Sequence, residues 1–259
     1  MMKIIISFTL SLMMFSATAQ LKPVQSGVYQ WSNLPVKKSE GRESRKILEG
    51  TSAHLDYLEI HATTQYPGAK PSQMHANEDI EELILVKEGT LKVMYGDRES
   101  IMGPESAFLL MPQQMHSLSN AGKDNLTYFV VRFKAKNPMK LARGLENGGT
   151  AAFNSDSLEF ETKVDGSGGA RAYFDRPSAM FERIEMHVTQ LGSGSTSHKG
   201  HSHIETEIVL MISGESEMKI DGKKYYGNTG DLYFMESQLE HGILNISDLP
   251  CTYYAFKWK

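Results

Sequence analysis

The chain repeats itself, and that repeat constrains its fold more than any other feature. Leu58-Glu59-Ile60-His61 and Ile184-Glu185-Met186-His187 are nearly interchangeable. His61 precedes His75 by 14 positions, and His187 precedes His201 by the same 14. Gly89 stands 27 positions before His116, and Gly214 stands 27 before His241. An asparagine follows each later histidine by four, at Asn120 and Asn245. The registers slip once, by one extra residue between His75 and Gly89. Four matched spacings identify a tandem duplication, so 259 residues divide into two similar units instead of one large core.

Each unit reads as short β-strands. Apolar or alternating runs span 82–87, 91–95, 108–111 and 127–133 in the first copy. In the second copy they span 207–212, 216–220, 232–235 and 252–257. Turn signals separate them at Glu88-Gly89, Tyr95-Gly96-Asp97, Ser213-Gly214 and Asp221-Gly222. An Asp-Gly pair between two apolar runs is a strong hairpin signal. Many short strands with regular turns imply an all-β barrel or sandwich. The expected division is an N-terminal extension at 20–49, a first barrel at 50–135, a linker at 136–180 and a second barrel at 181–259. The linker is rich in Gly, Asn and Ser; part of it should pair as edge strands or form a short helix near Lys140 to Leu145.

Histidines two apart on a strand project from one face. In the second copy His201 and His203 therefore point together, with Glu207 nearby and His241 arriving from a later hairpin. Three imidazoles and one carboxylate suit one divalent Mn, Fe, Ni, Co or Zn ion, with positions left open for water or substrate. The pattern His-x-His, three residues, Glu, six residues, Gly resembles the first cupin motif. Gly230, ten residues, His241, three residues, Asn245 is similar to the second. With the duplication, residues 50–259 resemble a bicupin: two double-stranded β-helix (jelly-roll) barrels joined by a long linker. The resemblance carries the family's metal positions onto His201, His203, Glu207 and His241, with His198 at the rim. It departs where the usual Pro and Gly before the last histidine are Glu236 and Gln238.

The first copy is eroded. His75 and His116 remain, the second histidine position is Asn77, and the acidic position is either Glu82 or Glu81, depending on the direction of counting. Asn is a poor transition-metal ligand beside imidazole. His75, Asn77, Glu82 and His116 therefore make an empty, weak or structural second site. His61 and His187 are either hydrogen-bond partners of ligating imidazoles or packing residues kept from the duplication. Arg183, Lys219, Tyr233 and Glu236 are the candidate catalytic helpers. The two cations would hold a carboxylate if their side chains pointed inward, and Glu236 would serve as acid or base; each also reads as a solvent-facing or turn residue.

The resemblance implies a small-molecule ligand and self-association as a homodimer, but not one reaction. An enzyme acting on a sugar acid or a hydroxy or keto acid is the leading expectation. The alternatives are a non-catalytic sugar- or ligand-binding barrel, a ureidoglycine aminohydrolase-like protein, an oxalate-type enzyme and a dioxygenase. Trp31 and Trp258 lie near the ends of the mature chain, which disfavours an aromatic sugar shelf inside the second barrel. A net charge of −4 with no basic run disfavours nucleic acid and anionic membranes. Residues 1–19 have the layout of a cleaved signal peptide: Lys3, an apolar core from Ile4 to Phe15, then Ala17-Thr18-Ala19, with Gln20 as the mature start. An exported, periplasmic or secreted protein with no membrane span after cleavage is expected. The single cysteine, Cys251, reads as a core residue.

Overall fold

Strands 126–135 and 251–258 are apolar at nearly every position, although neighbouring side chains on a strand point to opposite faces. Such strands must be covered on both sides. The computed structural model, which describes residues 20–259, shows how. Leu126, Tyr128 and Val130 point into the first barrel, and Cys251, Tyr253 and Ala255 into the second. The alternate residues Phe129, Val131 and Phe133, and Tyr254, Phe256 and Trp258, meet in one core shared by both barrels.

Each barrel is a seven-stranded sheet closed by a three-stranded one, all pairings between named strands being antiparallel. The first large sheet runs, in spatial order, Ala151–Phe153, Ala107–Leu110, Glu81–Glu88, Leu126–Ala135, Leu55–Gln65, Arg42–Gly50 and Lys37–Ser39. The second runs Gly27–Tyr29, Leu232–Met235, Thr206–Ser213, Cys251–Trp258, Ile184–Leu191, Gly168–Arg176 and Glu161–Thr162. The sheets correspond strand for strand. The small sheets are built from Leu91–Tyr95, Arg98–Met102 and His116–Asn120, and from Ser216–Ile220, Lys223–Gly227 and His241–Asn245.

This correspondence moves the expected boundaries. Strands Lys37–Ser39 and Arg42–Gly50, expected in the extension, belong to the first barrel's sheet. Residues 161–162 and 168–176, expected in the linker, belong to the second, and the linker strand Ala151–Phe153 closes the edge of the first. The second barrel's matching edge is closed by Gly27–Tyr29, from the other end of the chain. Polar and glycine-rich composition hid these strands, which lie at or next to the sheet edges and expose many of their residues. The expected helix forms at Leu141–Glu146.

The shared core is aromatic. Trp258 and Phe133 meet edge-on at 5.1 Å between ring centroids, and Phe181 meets Phe133 at 5.2 Å. Tyr254 donates its hydroxyl to the Val86 carbonyl across the junction at 2.7 Å. Large buried rings contribute heavily to such contacts. Among the described residues no helix is long and apolar enough to cross a membrane. The predicted signal peptide at 1–19 lies outside the described residues.

Candidate metal centre

Strand pairing brings the second-copy ligands together. His201 and His241 exchange backbone hydrogen bonds of 3.1 and 2.9 Å, and the Gln238 N–H donates to the His203 carbonyl at 2.7 Å. Gln238 holds a left-handed φ of 67°, the conformation that a glycine at this position would adopt without strain. The turn is therefore retained despite the departure from the motif, and Gln113 repeats it in the first copy at 66°. Ring centroids of His201, His203 and His241 lie 4.8–5.2 Å apart. Potential ligand atoms of the three histidines all fall within 4.8 Å of one another.

The hydrogen bonds define what these groups offer. His203 Nδ1 faces the Glu205 carbonyl at 3.0 Å and His241 Nδ1 faces the Leu239 carbonyl at 2.9 Å. A carbonyl only accepts, so both Nδ1 atoms carry the proton and both Nε2 lone pairs face inward. Glu207 Oε2 sits 2.8 Å from His203 Nε2 and 3.2 Å from His241 Nε2. Lone pairs on both sides of such short contacts require positive charge between them, as a proton or as a cation. Burial pushes the Glu207 carboxyl up, but the close His203 and His241 rings, with positive charge shared across these contacts, outweigh it and hold the group well below the usual carboxylate range. Burial and then the neighbouring imidazoles push His201 down, favouring its neutral, lone-pair-bearing form. His201 Nδ1 is buried without a partner. Three inward-facing imidazoles, an ionised carboxylate and an orphaned nitrogen fit a divalent cation.

The cluster opens into a cavity of about 250 Å³ lined by Lys163, His187, Thr189, His198, Tyr253 and Lys257 among others. His198 stands at the rim, its ring 4.1 Å from that of His201. None of the four expected helpers lines this cavity. Arg183 is held outside by Asp175, Glu185 and Glu205. Lys219 points to solvent because its neighbours Met218 and Ile220 fill the core. The Tyr233 hydroxyl bonds Ser216 deep in the barrel. Glu236 is a turn carboxylate: it accepts from Thr206 Oγ1 and the Ser237 N–H, and from the Ala53 N–H of the first barrel. Lys257 and Tyr253, which do line the cavity, were missed as helpers although inward alternation along their strand marks them; His187, singled out by the repeat, lines it with them. His61 and His187 face their cavities and bond Glu59 and Glu185, so carbonyls, not these histidines, orient the ligating rings.

The first barrel keeps the frame and changes the charge. His75 and His116 exchange backbone bonds of 3.1 and 2.8 Å, as His201 and His241 do. Glu82 pairs across from Arg132, as Glu207 pairs across from Lys257. Glu82 is therefore the counterpart of Glu207. Glu81 faces the shared core, bonds the Met180 N–H, and is pushed up to about 7 by burial. The Arg132 Nε donates to Glu82 Oε1 at 2.8 Å, whereas Lys257 turns to Glu185 at 3.3 Å. Asn77 Nδ2 is buried without a partner. Asn120 and Asn245, flagged by the repeat, are loop braces: Asn245 Nδ2 donates to the carbonyls of Leu191, Gly192 and Leu249, and Asn120 Nδ2 to those of Gln65 and Asp124. Cys251 is buried, its thiol pushed up to about 11 by burial.

A search of curated protein sequences gave no match. Among solved structures, the fold is similar to protein Ylba from E. coli, at TM-score 0.71 and 14% identity over 93% of this chain and 95% of that one. It is also similar to Lactobacillus farciminis oxalate decarboxylase in a formate complex, at TM-score 0.70 and 14% identity over 91% and 87%. AerE from Microcystis aeruginosa matches at TM-score 0.67 and 11% identity over 87% and 97%. At these identities the likeness is one of fold. The cupin domain family model matches twice, at residues 63–132 and 187–257, together more than half of the chain. Two matches, two barrels and one repeat agree: the chain belongs to the cupin family, as a tandem cupin.

Proposed function

We propose that this bicupin is an exported, metal-dependent enzyme whose second barrel acts on a small oxygen-rich substrate such as a sugar acid or a hydroxy or keto acid. The observation that carries the reading is the convergence of His201, His203, His241 and Glu207 beside a cavity lined by three of them and by Lys163 and Lys257. Those four residues would hold one Mn, Fe, Ni, Co or Zn ion, which when bound polarises a carbonyl or lowers the pKa of water. The protein's own groups supply the rest. The Glu205 and Leu239 carbonyls fix the His203 and His241 rings, and the lysines attract a carboxylate. His187 and Tyr253 place hydrogen-bonding groups on the cavity wall. Isomerase, lyase and hydrolase chemistry all fit this arrangement; oxalate-type, ureidoglycine-type and oxygen-dependent reactions belong in the same screen.

The test begins with the mature form from Gln20, purified without chelators, and elemental analysis beside a His201→Ala, His203→Ala variant. About one equivalent of metal, lost in the variant, is expected; failure to take up metal even on titration would overturn the assignment. Turnover in a screen of small hydroxy, keto and sugar acids then separates an enzyme from a non-catalytic binding barrel. The second reading has one observation in its favour, that Arg183, Lys219, Tyr233 and Glu236 all lie away from the cavity. Export is checked by fractionation and N-terminal sequencing, where an uncleaved chain retained in the cytoplasm would refute it.

A further inference from the structure

The first barrel has its own cavity, about 390 Å³, lined by Lys37, Arg42, His61, His75, His116 and Arg132 among others. Its carboxylates are already matched. Glu43 accepts from the Tyr66 hydroxyl at 2.8 Å and pairs with Lys38 and Arg45 at 3.3 and 3.4 Å. Glu82 is bonded by His116 on one oxygen and by Arg132 on the other, and adjacent Glu59 is taken by His61 and Arg132. The cations keep donors to spare, although Arg132 itself already faces Glu82 and Glu59. Arg42 Nε is a buried donor without a partner, and its Nη2 reaches only the Lys70 carbonyl. Arg132 Nη2 makes no hydrogen bond and Lys37 no ion pair among the described residues.

Spare cationic donors therefore converge on a half-open cavity, and the group that would satisfy them is an anion with several oxygens. We infer that the first-barrel cavity is a separate, metal-independent site for a small carboxylate or other oxyanion, in which Arg132 supplies the positive charge beside Glu82. A guanidinium presents a planar fork that suits carboxylate and phosphate oxygens. The same guanidinium disfavours a metal, because a divalent ion between His75 and His116 would lie against a fixed cation already bonded to Glu82. The cavity volume is ample for a small anion of a few carbons. This inference does not rest on the second barrel holding metal.

Calorimetric titration with malonate and, separately, inorganic phosphate tests it, on the mature protein as purified and after dialysis against EDTA. Binding that survives EDTA and the His201→Ala, His203→Ala substitutions is expected, with Arg42→Met and Arg132→Lys each weakening it at least about tenfold. The stronger of the two anions identifies carboxylate or phosphate as the native chemistry. Arg132→Lys keeps a cation beside Glu82, Arg42→Met keeps an unbranched stem of similar length, and folding of both is checked by melting temperature. Binding lost with EDTA or with the histidine variant would place the anion in the second barrel and overturn the inference. So would heat from neither anion, binding untouched by both arginine variants, or two tightly held metal ions per chain.

Discussion

Replacing Glu82 by glutamine keeps the shape of the side chain and removes its charge from a site where the residue is 2% exposed. Burial pushes this carboxyl up, but the hydrogen bonds from His116 and Arg132 and their charges pull harder, leaving it at about 2. The gap between that value and the ordinary 4.5 corresponds to about 3 kcal/mol of folding stability. Because the folded-state value is depressed, the contribution is fully present above about pH 4.5 and is lost as the pH falls toward 2. Glu82→Gln should therefore cost about 3 kcal/mol at pH 7, roughly 6–12 °C in melting temperature for a chain of this size. The difference from wild type should shrink steadily between pH 4.5 and 2. Urea unfolding followed by fluorescence of Trp31 and Trp258 measures it. One transition is expected, since both barrels share a core. A difference that stays constant across that pH range, or one below about 0.5 kcal/mol at pH 7, would refute the charge-balance account of the first barrel.

Trp258→Ala should destabilise the whole protein by about 3–5 kcal/mol in urea unfolding, because Trp258 is fully buried where the two sheets meet. Asn245→Ala removes five side-chain hydrogen bonds from the loops it braces and should cost about 2–3 kcal/mol, more than Asn120→Ala, which removes three. Gln238→Gly relieves a left-handed backbone and should leave stability unchanged or raise it by up to about 1 kcal/mol; a loss beyond that would show that the Gln238 side chain is needed.

The two barrels were legible because they rest on spacing, and spacing survives the three-dimensional rearrangement of a duplicated unit; the same spacing singled out His201, His203, Glu207 and His241, which the fold brings together. Glu81 and Glu82 could not be separated that way. Counts from His75 and Gly89 disagree by one, and only pairing across from Arg132 assigns the role to Glu82. Lys219 shows the opposite situation, since Met218 and Ile220 on either side of it already declared which face was inward. Arg183 was unreadable because its three carboxylate partners come from three segments. Arg132 was overlooked because one charge in an apolar run reads as an exposed interruption. Its significance appears only when Glu82 is seen beside it. The strands at 37–50 and 161–176 are polar apart from short apolar pairs at Ile47-Leu48 and Tyr173-Phe174, too brief to show a strand period.

The strand at Gly27–Tyr29 has a consequence for how the chain is made. It completes the second barrel, and Ser26 accepts a hydrogen bond from the Glu236 N–H, 210 positions away. The ribosome therefore releases the segment early but its docking partner last, after roughly ten seconds or more of further synthesis. During that interval the first barrel can close, because Ala151–Phe153 supplies its own edge. The amino-terminal arm must then wait, unpaired, for a sheet that does not yet exist. Closing so long a loop is slow. In crowded nascent chains, the waiting arm and the open edge at Leu232–Met235 are the two places where one copy could exchange a strand with another.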